Sequence, residues 1–197
     1  MVVAEKRIIS QEEYLTHERQ ALEKSEFFNG ERIPMAGATF NHNRINENLS
    51  ISIGAFLEKA SCQSFSSDMR VHLPATGLYA YPDIVIVCGE PELLPDGFDN
   101  LLNPVVLLEV MSEGTEDYDR GRKFLRYRSI PTFQEYILID SQQVAVEAWR
   151  KNDLGQWTLA EQSTDPSGEF SIQTIKLTIS LANVYARTVG LVTAKSV

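Results

Sequence analysis

Cysteine is nearly absent from this 197-residue chain: Cys62 and Cys88 are the only two, and neither sits in a CxxC pair or a His/Cys cluster. A structural zinc site is therefore not expected, and two buried reduced thiols are. No apolar run approaches the length of a membrane span, so no membrane partner is expected. The opening MVVAEKRIIS has no apolar core followed by a small-residue cleavage site, which points to a cytoplasmic protein. A long Pro/Gly/Ser-rich linker is missing, as are internal repeats and low-complexity tracts. One domain over residues 1–197 is the expectation, with 1–24 as a peripheral helical region. Positive charge is also in short supply, with 18 Lys and Arg against 27 Asp and Glu, a net charge of −9. Non-specific nucleic-acid binding scales with the phosphates that Lys and Arg neutralise, so this balance counts against a protein that coats DNA or RNA. It leaves room for a metal-dependent enzyme, because carboxylates around a cation add negative charge that the cation reverses locally.

What is present is ordinary for a globular protein: 43% hydrophobic and 23% charged residues. Ser10-Gln-Glu-Glu13 has the capping-box pattern and opens a charged surface helix reaching about Lys24. Asn29-Gly30 lies between two short runs within Glu26–Ile33, the signature of a tight hairpin. Ile45, Leu49, Ile53, Phe56 and Leu57 recur at helical spacing between Asn43 and about Ala60. Val71–Leu73, Ile84–Cys88 and Val105–Met111 read as strands, with Pro82 and Pro104 at entry positions and the last two strands central. A helix over Asp117–Arg128 stops before Pro131, and strands follow at Tyr136–Ile139 and Val144–Trp149. Further strands are expected between Trp157 and Ile179, then a short helix near Leu181–Arg187. The order of elements predicts an α/β (α+β) domain built around one central mixed sheet flanked by helices, with an N-terminal β-hairpin and extra C-terminal strands.

Two carboxylates interrupt this apolar pattern. Asp83 opens the strand Tyr81-Pro-Asp-Ile-Val-Ile-Val87, and Glu109 lies inside Val105-Val-Leu-Leu-Glu-Val-Met111. Burying a charge alone is expensive, so two of them in adjacent core strands suggest a shared cation. Downstream, steps of four place Asp119, Lys123 and Tyr127 on one helix face that can look back over the strand carrying Glu109. The ordinary alternatives are structural ion pairs for the two acids, a solvated i, i+4 pair for Asp119 and Lys123, and core packing for Tyr127. Arg120, Arg122, Arg126 and Arg128 add positive charge on the same helix, either a phosphate-facing surface or a solvated face.

The ordered set Pro82-Asp83, Glu109-Val-Met-Ser112, Thr115, Asp119, Lys123, Tyr127 and Ile130-Pro-Thr-Phe-Gln-Glu-Tyr-Ile-Leu-Ile-Asp140 resembles the Uma-type endonucleases, a family of the PD-(D/E)xK restriction-endonuclease-like superfamily. Glu26-Phe-Phe-Asn-Gly30 followed by His42 resembles that family's hairpin and the start of its next helix. The resemblance implies a restriction-endonuclease-like core and a Mg²⁺ or Mn²⁺ site held by Asp83, Glu109 and the backbone carbonyl of Val110, with Glu26 as an additional candidate. The superfamily lysine normally stands two residues beyond the second acid, where this chain has Met111. The resembling family takes its lysine from the following helix, which nominates Lys123 as the catalytic cation, and Asp119, Tyr127, Ser112 and His42 as supporting or substrate-facing residues.

A bound Mg²⁺ or Mn²⁺ can activate water and stabilise phosphoryl charge, which is what phosphodiester hydrolysis needs. The expected substrate is nucleic acid, DNA before RNA, and a homodimer is the expected assembly because such enzymes often pair sites to reach two strands. Two competing readings remain: a binding or scaffold protein that kept the nuclease fold and lost turnover, as Met111 and the acidic balance suggest, and a hydrolase of other phosphate esters.

Overall fold

In the computed structural model, residues 8–35, 37–95, 97 and 99–192 are described; the expected peripheral region 1–24 falls partly outside them. The capping box forms as read. Ser10 Oγ accepts from Glu13 N at 3.1 Å and Glu13 Oε2 accepts from Ser10 N at 2.8 Å, starting α1 (Gln11–Glu18). This helix ends six residues short of Lys24 and is less superficial than its charge suggests, because Tyr14, Leu15 and Glu18 are buried. Strands β1 (Ser25–Phe28) and β2 (Glu31–Pro34) follow. Their turn puts Asn29 and Gly30 at φ 50° and 82°, a left-handed pair that only such residues adopt cheaply.

Helix α2 (Phe40–Leu57) begins three residues before the expected start, because Thr39 Oγ1 accepts from His42 N at 3.2 Å and caps it there. Ile45, Leu49, Ile53 and Leu57 are buried in steps of four, whereas Phe56 faces solvent. Then come β3 (Cys62–Ser66), β4 (Arg70–Leu73), β5 (Leu78–Ala80), β6 (Ile84–Cys88), β7 (Asn100–Leu101) and β8 (Val106–Met111). The helix expected over Asp117–Arg128 is a π-helical turn, Tyr118–Lys123, running into α3 (Phe124–Tyr127). Strands β9 (Glu135–Asp140), β10 (Val146–Lys151), β11 (Trp157–Ser163), β12 (Glu169–Ile172) and β13 (Leu177–Ser180) and helix α4 (Leu181–Val184) complete the chain.

The expected central mixed sheet forms, and the remaining strands lie outside it. A six-stranded mixed sheet has the order β11-β10-β9-β8-β6-β3, parallel only between β8 and β9. A second, five-stranded sheet has the order β2-β1-β5-β4-β7, and β12–β13 is a separate hairpin. The central sheet is packed on both faces. Alternation along β8 sends Val106, Leu108 and Val110 toward α2, β12–β13 and α4, and Leu107 and Met111 toward β4, β5, β7 and α3. Strands buried on both sides read as continuous apolar runs, which is why β6 and β8 stand out in the sequence.

Cys62 and Cys88 are not the buried free thiols expected: they face each other across β3 and β6 and form a disulfide. Spacing gave no hint of this, since 26 residues separate the pair and only the register brings them opposite. Closing a loop of that size restricts the unfolded chain, so replacing both with Ser is expected to lower unfolding free energy by about 3 kcal/mol in a urea titration. Equal midpoints for the variant and the oxidised parent would contradict this.

Candidate active site

The two acids are brought together by strand register. Ile84 pairs with Leu108 in the antiparallel β6–β8 ladder, so the next step outward places Asp83 beside Glu109. Glu109 shares its face of β8 with Leu107 and Met111, the side covered by the second sheet and the helical segment. Asp83 Oδ2 accepts from Val110 N at 2.7 Å, so it is the amide of Val110 that holds the acid. Met111 is buried in the apolar cluster with Phe124 and Tyr136, which fills the usual lysine position with a core side chain.

Lys123 supplies the amine from the other side. Its Nζ lies 2.8 Å from Glu109 Oε1, 3.1 Å from Glu26 Oε1 and 3.7 Å from Asp119 Oδ1. Tyr127 OH donates to Glu109 Oε1 at 3.1 Å, which makes it a site residue as well as a core ring. Glu26 arrives from β1, where Tyr81 N and Tyr118 OH donate to it at 3.3 and 2.9 Å. His42, on the first turn of α2, sets Nε2 3.2 Å from Asp83 Oδ2. Ser112 is engaged locally instead: its N–H donates to Thr115 Oγ1 at 3.1 Å, a turn that leads into the π-helical segment.

Two contributors have no role assigned from the sequence. Tyr118 bonds Glu26 and accepts from Arg126 at 3.1 Å, and Tyr136 OH donates to the Asp119 carbonyl at 3.2 Å. Tyr118 precedes Lys123 by five residues, one π-helical turn, so an α-helical wheel sends it to the wrong side. Tyr136 lies in the Ile130–Asp140 motif, where it reads only as a strand residue. A buried acid alone is no sign of a site: Glu135, fully buried in β9, is satisfied by Arg150 Nε at 2.7 Å and by the amides of Gln173 and Thr174.

The electrostatics follow from the crowding of acids. Glu109, Asp119, Glu26 and Lys123 each expose at most 4% of their surface. Burial raises the proton affinity of Glu109 well above the usual carboxylate range, with the Lys123 charge opposing it. Asp119 is raised for the same reason. Burial alone would pull Lys123 down, but Glu109, Glu26 and Asp119 overcome it and hold the ammonium protonated. Burial likewise lowers His42, yet the hydrogen bond and charge of Asp83 leave it above 6.5. Four carboxyls thus crowd around one lysine and one histidine, and the two with raised proton affinity, Glu109 and Asp119, are the ones that burial and crowding disfavour in the charged form.

Among the described residues no group of three or more His, Cys, Asp or Glu side chains is placed to hold a metal ion. Mg²⁺ does not require one, because it is commonly held by one or two carboxylates with water and substrate oxygens filling its shell. Asp83 and Glu109, adjacent by register, are the two carboxylates that could do so.

A mixed sheet packed on both faces, with acids at neighbouring central strands and a lysine from the following helix, has the restriction-endonuclease-like architecture. A crystal structure described as "a putative nuclease belonging to DUF820" from Anabaena variabilis superposes with a TM-score of 0.72, covering 90% of this chain and 98% of that one at 18% identity. Residues 11–182 match the Uma2 family model, described as "Putative restriction endonuclease", and the chain belongs to that family. Two Synechocystis proteins described only as uncharacterised are similar over most of their length. The first, sll1609, is 41% identical over 161 residues, covering 82% of this chain and 91% of its own. The second, slr1290, is 32% identical over 177 residues, covering 90% and 91%. Family and fold agree with the resemblance read from the motifs. No helix among the described residues is long and apolar enough to cross a membrane.

Proposed function

We propose that this protein is a divalent-metal-dependent endonuclease that hydrolyses phosphodiester bonds of nucleic acid, DNA in the first place. The observation that carries the proposal is the meeting of Lys123 with Glu109, Glu26 and Asp119 beside Asp83. Asp83 and Glu109 would hold Mg²⁺ or Mn²⁺, with the Val110 carbonyl and Glu26 as candidate further oxygen donors. The ion, when bound, lowers the pKa of water and withdraws charge from a phosphoryl oxygen. Lys123 stays protonated at neutral pH and contributes a fixed positive charge where a phosphorane builds negative charge. Asp119, Glu26 and Tyr127 hold its amine and Glu109 in place. A cytoplasmic location and a homodimer that presents two sites to two strands accompany this reading.

The Arg120–Arg128 stretch supports a polynucleotide substrate, since it carries five of the chain's 18 cations and no acid. Arg120 is spent on Glu116 and Glu147, and Arg126 lies over Phe28 and bonds Tyr118. Arg122 and Arg128 are exposed and have no carboxylate partner among the described residues. Changing both to Gln is expected to reduce the salt dependence of DNA binding by about 1.8 in the slope of log K against log salt, about 0.9 for each phosphate no longer neutralised. Fluorescence anisotropy of a labelled duplex across a salt series measures it, and an unchanged slope rejects this phosphate-facing surface.

A second reading, a nuclease fold that binds without cutting, is favoured by the near-complete burial of Lys123 and by Met111 in the core. The experiment that separates the two is incubation of the protein with DNA and RNA in Mg²⁺ or Mn²⁺. Cleavage that disappears in Asp83→Asn supports the enzyme. Binding that survives in that variant without any cleavage by the parent supports the lapsed form.

A further inference from the structure

We infer that His42 is a positioning residue that fixes the Asp83 carboxylate so that its Oδ1 is the oxygen presented to the divalent ion. The inference rests on the metal-site reading above and adds to it the member that orients its first ligand.

Both polar contacts of Asp83 fall on the same oxygen. Oδ2 accepts from Val110 N at 2.7 Å and meets His42 Nε2 at 3.2 Å. Oδ1 has no protein partner among the described residues. An amide hydrogen bond from a central strand and a charge contact from α2 converge on one oxygen and restrain the carboxylate, and the other oxygen is the one left for a ligand. The histidine is itself firmly placed. Its backbone N–H is capped by Thr39 Oγ1 at 3.2 Å, and the helix behind it is anchored on the sheet through Ile45, Leu49 and Ile53.

The cost of keeping a histidine here points the same way. Nδ1 is buried without any hydrogen-bond partner, so the ring's polar contact is with Asp83 alone. An unsatisfied buried ring nitrogen is unfavourable, a cost that an apolar side chain on the same helix turn avoids. Filling space is therefore a poor account of the residue, whereas donating a proton to a ligand carboxylate is a specific one. With Nε2 toward the acid, that nitrogen carries the donated proton, and a side-chain amide can replace it.

The test is a Mn²⁺ titration followed by the electron paramagnetic resonance of free Mn²⁺, on the parent, His42→Ala and His42→Gln, with melting curves in EDTA alongside. The inference expects His42→Ala to weaken Mn²⁺ roughly 10- to 100-fold, as loss of an outer-shell partner does. It expects His42→Gln, whose amide still donates, to recover most of that affinity, with metal-free melting similar in all three. If His42→Ala fails to fold, His42→Met takes its place in the same comparison. Should the parent bind Mn²⁺ in a way that Glu109→Gln abolishes, yet bind no more tightly than the His42 variants, the positioning role is wrong and the metal site stands. Equal weakening by Ala and Gln also overturns it. A parent that binds no Mn²⁺ overturns both the role and the metal site.

Discussion

Asp83→Asn or Glu109→Gln is expected to lower the rate of DNA cleavage by at least about 10³-fold, roughly 4 kcal/mol of transition-state stabilisation, while DNA affinity in Ca²⁺ or EDTA changes only a fewfold. The reason lies in what each acid touches. Asp83 is oriented by the Val110 amide, and Glu109 is fixed by Lys123 and Tyr127, so both substitutions keep shape and remove the negative charge a cation requires. Neither acid lies on the exposed arginine-rich surface. Single-turnover cleavage together with anisotropy measures the two quantities separately. Cleavage within tenfold of the parent in both variants would remove these acids from the chemistry.

The second large effect is on folding. Lys123→Met takes the one ammonium away from Glu109, Glu26 and Asp119, all of them buried. Breaking a buried ion pair from one side leaves charge uncompensated, and a loss of about 3–5 kcal/mol at neutral pH is expected. The pH dependence has a definite sign. Glu109 and Asp119 already bind protons more tightly folded than free, so folding takes up protons and the folded state gains as pH falls. The deficit of Lys123→Met should therefore be small near pH 4.5, the ordinary value for a glutamate, and grow as pH rises from there. Adding Glu109→Gln to it should recover part of the loss at pH 7, because one buried charge fewer remains. Urea titrations at several pH values read this out. A deficit that is constant with pH would mean that Lys123 acts by packing alone.

Much of the fold was legible because its central strands are buried on both faces. β6, β8 and β9 appear as apolar runs, and Asp83 and Glu109 are conspicuous for interrupting them. The capping box at Ser10 and the Asn29-Gly30 turn were equally clear, since each depends on local chemistry alone. The division into two sheets was not. β3, with the sequence CQSFS, has little apolar character, and β5 and β7 are three and two residues long, so only long-range pairing defines them. The disulfide was hidden for the same reason: the register of β3 on β6 sets Cys62 opposite Cys88. At the site, Asp119, Lys123 and Tyr127 were placed together by steps of four. The π-helical turn that draws in Tyr118 has no counterpart in a period of 3.6. His42 and Glu26 were nominated through resemblance, and only the packing of α2 and β1 onto the strand ends shows which acid and which amine they meet.

The most direct measurement is nucleic-acid cleavage by the purified protein with Mn²⁺, run beside EDTA and beside Asp83→Asn. Strand scission in the first, and its absence in the other two, is the predicted result. Scission of equal rate in all three, or none from the parent toward any DNA or RNA while its Mn²⁺ site is filled, would contradict it.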